Sequence, residues 1–417
     1  MTRRLLVALA ALLTLLAGSS FAPAQGAPSQ ALVSTNPVDW TPHILDGAVH
    51  AMTVVGDVVV VGGTFTEIAS ADGEHVLERW YLMAFQLSTG AILPFDADLD
   101  GPVLALAPGP NGSVLVGGEF HTVDGVTSPG IARLDLATGR PSAGFDAWVD
   151  GDVRSLAVSG TWAYLGGWFT YANDVPRKGV ARIDTRTGAL DPGFDLRLKA
   201  PQIGRAKIED LAVSPRGDRL AVIGALTEAL GAKRVQLALF DITRPAPRLA
   251  DWHTDAYNPR CRRQFDTYMR AVDFSPAGDY FVIVTTGRMS REDLLCDTAA
   301  RFETYRAGAQ KPTWVNHTGG DSLYAVAVTG SAVYVGGHQR WLNNPHGYES
   351  AGFGAVSRPG IAAIDPTTGR ALGWNPTRSR GEGLRAFVVC SRGLLVGSDT
   401  DRLGKEYHGR IGLFPNA

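Results

Sequence analysis

Within seven residues the chain places His338, Gln339, Arg340, Trp341, Asn343 and Asn344, in the stretch "VGGHQRWLNN". A second polar run near the end, "VGSDTDRLG", supplies Asp399, Asp401 and Arg402. Amide, guanidinium, imidazole and indole groups together suit a sugar or another small polar ligand, which needs directional hydrogen bonds and an aromatic face. The same groups can brace a long loop against itself and its neighbour, and residue type leaves both readings open. Asp399 and Asp401 have the spacing of an acid–base pair, yet adjacent loop aspartates are common. No His-Glu-x-x-His or Gly-x-Ser-x-Gly motif accompanies them. The recurring Asp-x-x-Thr-Gly pattern lacks the dense series of oxygen ligands that a calcium loop requires. No catalytic residue, metal or cofactor is assigned from these residues.

Both runs begin with a motif that recurs along the chain. It reads "VGGTFTEIA" at Val61, "VGGEFHTVDGV" at Val116, "LGGWFTYANDV" at Leu165 and "VGGHQRWLNN" at Val335, with "VGSDTDRLG" at Val396 as a degraded copy. An alternating apolar segment precedes each: "VHAMTVVG", "VLALAPG", "VRSLAVSG", "IEDLAVSP", "MRAVDFSP", "LYAVAVTG" and "LRAFVVCS", seven in all. A tight turn, a β-branched run and a strand closing on a Thr-Gly turn follow. Each unit then ends on an aromatic residue: Trp40, Phe95, Phe145, Phe194, Trp252, Trp314 and Trp374. Period-2 alternation in short runs bounded by turn residues predicts four antiparallel strands per unit. Seven units at intervals of about 50–60 residues predict an all-β, seven-bladed β-propeller.

The aromatic series is out of phase by one. Trp40 precedes the first unit, and the last unit stops at "RIGLFPNA" without a fourth strand. The N-terminal strand near Trp40 is therefore expected to complete the last blade and close the ring, which removes the free edges. The paired glycines are expected to allow a bulge or a positive φ and close backbone approach, with Phe65, Phe120 and Phe169 packing between blades. In this strand order the short turns share one face. The long, variable connections, including the 338–344 and 399–402 runs, share the other, which is where a rigid scaffold usually carries its function.

The first 24 residues read as a secretory signal peptide, with Arg3 and Arg4, the apolar run "LLVALAALLTLLAG" and a small-residue cleavage site at Ala22-Pro23-Ala24. Residues 25–36 are expected to be a flexible segment and 37–417 a single propeller domain. The chain would be secreted, and no later stretch is apolar enough to span a membrane. The formal charge of −2 gives no reason to expect a nucleic acid partner. A monomer is expected. Of the three cysteines, Cys261 and Cys296 flank strands of the fifth unit and fall on the same variable face, so they are the expected disulfide. Cys390 ends a first strand on the opposite face as a free buried thiol. Asn111 and Asn316 stand in glycosylation sequons, and "RCRRQF" at 260–265 is a small basic patch.

The pattern "VGGxFTxxxGxxxxxxARLDxxTGxxxxxF", carried best by the second and third units, resembles the delta-60-repeat β-propeller family of secreted bacterial proteins. The likeness extends over the whole chain after the leader. It implies the propeller fold and leaves the activity open. "IAAIDPTTGRALGW", ending at Trp374, is also similar to the tryptophan-docking repeat of quinone-dependent propellers, but three of the seven closing aromatics are Phe. The expected function is a binding or scaffold protein that meets an extracellular or cell-wall glycan, or a protein partner, through the last two blades. The alternative is an exported enzyme acting on a sugar or glycan, as a hydrolase or lyase or as a quinone-dependent dehydrogenase.

Overall fold

The computed structural model describes residues 31–200, 206–259, 261–262, 264–288 and 292–417. The expected leader lies outside them. All the regular structure described is β. The strands follow the β-branched runs, such as Val58–Gly63 (VVVVGG), because side chains branched at Cβ fit a pleated surface. Glycines in the left-handed region make the turns between them, as at Gly56 (φ 63°) and Gly139 (φ 78°).

Seven antiparallel meanders follow one another, each led by one of the alternating segments. Their first strands are Val49–Val55, Val103–Pro108, Asp152–Ser159, Lys207–Val213, Met269–Phe274, Leu323–Val328 and Ala386–Cys390. Each first strand pairs with a second, and the second with a third, as Val49–Val55 does with Val58–Gly63 and that strand with Leu82–Gln86. Among the described residues, only sheets four and five carry a fourth strand of normal pairing, Arg248–Leu249 and Trp314–His317. Elsewhere it shrinks to a single bridge, such as Leu134↔Pro141 or Ile183↔Leu190. The closing aromatics Phe95, Phe194, Trp252, Trp314 and Trp374 lie in the core whether or not that strand is kept, while Phe145 and Trp40 are only half-buried.

Side chains alternate across each sheet, so the two faces serve different neighbours. Val59 and Val61 face a cluster shared with Leu395 and Leu413 of the seventh sheet. Val60, between them, faces a cluster shared with Leu106 and Val116 of the second. Five further clusters lie in the same way between consecutive sheets. Phe65, Phe120 and Phe169 sit fully buried in three of these inter-sheet clusters.

The paired glycines act through close approach. A Cβ on Gly62, Gly117 or Gly336 would lie 2.3, 2.6 or 2.5 Å from Val103, Val153 or Leu384 at the start of the next sheet. A Cβ on Gly63 or Gly118 would strike the carbonyl oxygen of Ala48 or Pro102 at 1.9 or 2.1 Å. None of these five has a positive φ; of the two expected alternatives it is the bulge that occurs, in the strand paired with each glycine pair.

The variable connections are more regular than the sequence suggests. Five fold into two-stranded hairpins, among them Trp341–Leu342 with Val356–Ser357 and Arg402–Leu403 with Glu406–Tyr407. In the fifth sheet the connection is instead tied by Cys261–Cys296, with Cα atoms 5.7 Å apart. Cys390 is a buried free thiol.

At the N-terminus Val33 bridges Asn416, Ser34 N–H donates to Pro415 O and Val38 N–H donates to Leu413 O. Packing therefore begins at Val33, inside the 25–36 segment expected to be flexible. No helix among the described residues is long and apolar enough to cross a membrane.

Candidate functional site

The polar residues of the sixth and seventh sheets form one connected network. His338 leaves the end of Val333–Gly337, where its Nε2 accepts from Ser322 N–H at 3.0 Å. Its Nδ1 must then carry the hydrogen and donate to Glu382 O, also at 3.0 Å. Asp321, almost fully buried, takes Arg340 through both carboxylate oxygens at 2.8 and 2.9 Å and Arg380 at 2.9 Å. Two guanidiniums on one buried carboxylate make a charge-assisted clamp. Arg340 also lies over the Trp341 ring at 4.3 Å. Asp399 pairs with the fully buried Arg378 guanidinium and accepts from the backbone of Glu382 and Gly383.

The amides turn inward. Asn343 Oδ1 accepts from Asn316 Nδ2 at 2.7 Å and from Ala371 N–H at 3.1 Å. Asn344 is fully buried and bonds to Thr318, Ser350 and Gly352. Gln339 is fully buried, with neither side-chain polar atom hydrogen-bonded among the described residues. It stands two residues after the glycine pair, where the first three units carry Phe65, Phe120 and Phe169. Gln339 and Asn344, both candidates for ligand contact, are interior, and Asn344 follows the loop-bracing reading of the same run. Asn316, 2% exposed, is equally out of reach of glycosylation. Asp401 and Arg402 are exposed on their hairpin, while Tyr348 (55%) and Phe353 (92%) project from the braced 343–357 loop.

A second constellation was missed. In six sheets the pairing of first and second strands slips by one residue at the same place, between Val49 and Ala51, Val103 and Ala105, Val153 and Ser155, Ile208 and Asp210, Met269 and Ala271, and Leu323 and Ala325. A bulge of this kind re-aims the extra side chain. The extra residues are His50, Leu104, Arg154, Glu209, Arg270 and Tyr324, and Arg385 takes the same place before Ala386, the partner of Gly397. The signal was in the sequence, at the second position of the alternating segments, where in every unit but the second, which has Leu104, a polar residue or tyrosine breaks the apolar run.

These side chains communicate. Arg154 lies over Trp168 at 4.4 Å and 3.7 Å from Glu119. Arg385 lies over Tyr324 at 5.0 Å, and the Tyr324 ring meets His338 edge-on. Burial, then the charges of Arg385 and Arg154, hold the His50 imidazole down at about 4. Further along the same strands, one residue after Glu209, Asp210 accepts from Ser155 Oγ and from Val272 N–H of the next sheet. Asp273 likewise accepts from Val328 N–H. Burial pushes the Asp210 carboxyl up to about 6 and that of Asp273 to about 7.

Repeated meanders with faces buried on both neighbours define the class: an all-β chain with a propeller-like fold. A family model described as "Domain of unknown function (DUF5122) beta-propeller", the delta-60 repeat, matches residues 109–137 and 160–194, which bears out the resemblance on the second and third units. No curated protein matches. The chain is similar to the WD40 β-propeller domain of Doa1, with 10% identity and a TM-score of 0.50 over 93% of this chain and 98% of that one. At that identity the likeness speaks for the fold alone. The computationally designed Ika8 protein aligns with 14% identity and a TM-score of 0.48 over 93% of this chain and 99% of that one.

Proposed function

We propose that the chain is a secreted, closed seven-bladed propeller that acts as a binding or scaffold protein through the connections of its last two blades. Closure is supported by the cluster shared between sheets seven and one, by contact between the strands Ala386–Cys390 and Val49–Val55, and by Val33–Val38 lying along Ile411–Pro415. Secretion is supported by the leader pattern and by Cys261–Cys296, since such bridges persist in oxidising compartments.

The observation that carries the binding reading is the braced loop. Buried Asp321 and Asn344 fix the 338–357 connection from below, while Tyr348 and Phe353 stand exposed on top. Rigid aromatics on a preorganised loop bind at low entropic cost. His338 and Asp399 are engaged in that bracing, which argues for a binding surface over acid–base chemistry. The partner is an extracellular glycan, stacked on the two rings, or a protein seated on them. The test is a glycan array and a pull-down from extracellular fractions, with the Tyr348→Ser/Phe353→Ser variant alongside. Binding lost in the variant supports the reading; binding retained there would place the contact elsewhere.

A further inference from the structure

We propose that the bulge residues of the first strands form an oxyanion-binding site at one mouth of the propeller axis, which takes a carboxylate or phosphate group of a small ligand. The inference rests on the closed-ring reading above, because closure brings the seven first strands around one axis.

The site is assembled by the fold. Arg154, Arg270 and Arg385 come from sheets three, five and seven, distant in sequence; the first two stand at the bulge of their first strand, and Arg385 takes the matching place just before Ala386. In a closed ring, equivalent positions of the innermost strands converge on the axis. Three guanidiniums then share the mouth with Glu209, the one acid among the seven equivalent positions, while Glu119 and Glu382 flank Arg154 and Arg385 from outside that set. Beyond the effect of burial, Arg385 and Arg154 both push the His50 imidazole down, against the opposing charge of Asp399, so both guanidiniums lie near that third equivalent position.

Those guanidiniums are positioned but not consumed by acids. Arg154, Arg270 and Arg385 stand 3.7 Å from Glu119, Glu209 and Glu382, whereas Arg340 holds its buried partner at 2.8 Å. A charge-assisted hydrogen bond of full strength is about 2.7–2.9 Å long. Their side chains remain 25%, 23% and 30% exposed, enough for a small ion to reach them. Trp168 and Tyr324 hold two of them from the side, which leaves little rotamer freedom to lose on binding. Wider planar recognition follows from the guanidinium fork, which meets two oxygens of a carboxylate or phosphate at once.

The test is calorimetric titration of the whole chain, freed of its leader, with inorganic phosphate, citrate and D-glucuronate at low salt. Saturable binding of at least one probe is expected, weakening as salt rises. Preference for phosphate identifies a phosphorylated ligand, and preference for the other two a carboxylate one. Arg154→Gln/Arg385→Gln should weaken binding at least tenfold. Arg392→Gln, in an exposed turn at the other end of the strands, should leave it unchanged. Glu209→Gln should tighten binding severalfold by removing the acid beside Arg270, an effect that misfolding would not mimic. Saturable binding to none of the three, or a Glu209→Gln variant that binds no better, would overturn the proposal. A ring that fails to close would show separately, as an open shape in small-angle scattering, and a lost partner would show only in the Tyr348/Phe353 experiment.

Discussion

Asp273 illustrates how much a single buried group can reveal. Its carboxyl accepts Val328 N–H at 2.7 Å, yet burial outweighs that bond and raises it to about 7, with Asp210 next along at about 6. A carboxyl raised in the folded state binds its proton more tightly there than in the unfolded chain. The folded state is therefore favoured at acid pH, and this contribution fades as pH rises from about 4 through about 7. The slope is at most about 1.4 kcal/mol per pH unit for each carboxyl. Asp273→Asn keeps an acceptor and removes the titration, so urea unfolding between pH 5 and 8 should show a flatter profile than the parent. A profile as steep as the parent's would assign the dependence to other groups. The sequence showed an aspartate inside each of two apolar segments, "IEDL" and "AVDF", but not that both would bridge to the backbone of the next sheet.

At the scale of elements, the fifth sheet departs from its neighbours. Where the others use a hairpin to shape the second-to-third connection, this one uses Cys261–Cys296, with Tyr257, Tyr268 and Trp252 in the cluster around it. The bridge closes 35 residues of chain. On the chain-entropy account it contributes about 3–4 kcal/mol by restricting the unfolded ensemble. Cys261→Ser/Cys296→Ser should lower the unfolding free energy by that amount in urea titration, and added reductant should then have no further effect on the variant. The bridge was legible because both cysteines flank strands of one unit. The hairpins were not, since two-residue strands are too short for alternation to register.

For the molecule as a whole, the join between the last sheet and the first is the decisive contact. A Cβ on Gly397 would lie 2.4 Å from Val49 Cγ1, close to the 2.6 Å that Gly117 offers Val153 at an ordinary inter-sheet boundary. If the ring closes, Gly397→Ala should destabilise as much as Gly117→Ala, by about 1–3 kcal/mol from overpacking. A thermal melt of Gly397→Ala matching the parent's, beside a lowered one for Gly117→Ala, would mean that sheets seven and one do not pack.

By itself the sequence determined the strand class, the count of repeated units, the glycine pairs and the pairing of the cysteines. These follow from local periodicity and from spacing along one chain, which a linear reading can measure. The phase of the closing aromatics led to the expectation that the N-terminal strand completes the last blade, and Ser34 and Val38 do donate to Pro415 and Leu413. Which polar side chains face outward was decided only in three dimensions. Gln339 and Asn344 stand in a run that reads as a surface loop, yet one takes an inter-sheet Phe position and the other bonds three backbone groups beneath the loop. Arg154, Arg270 and Arg385 read as isolated surface charges, separated by more than a hundred residues in each case. Only the packing of equivalent first strands side by side could give them the one location proposed above, because convergence on an axis is a property of assembled sheets and of no single segment.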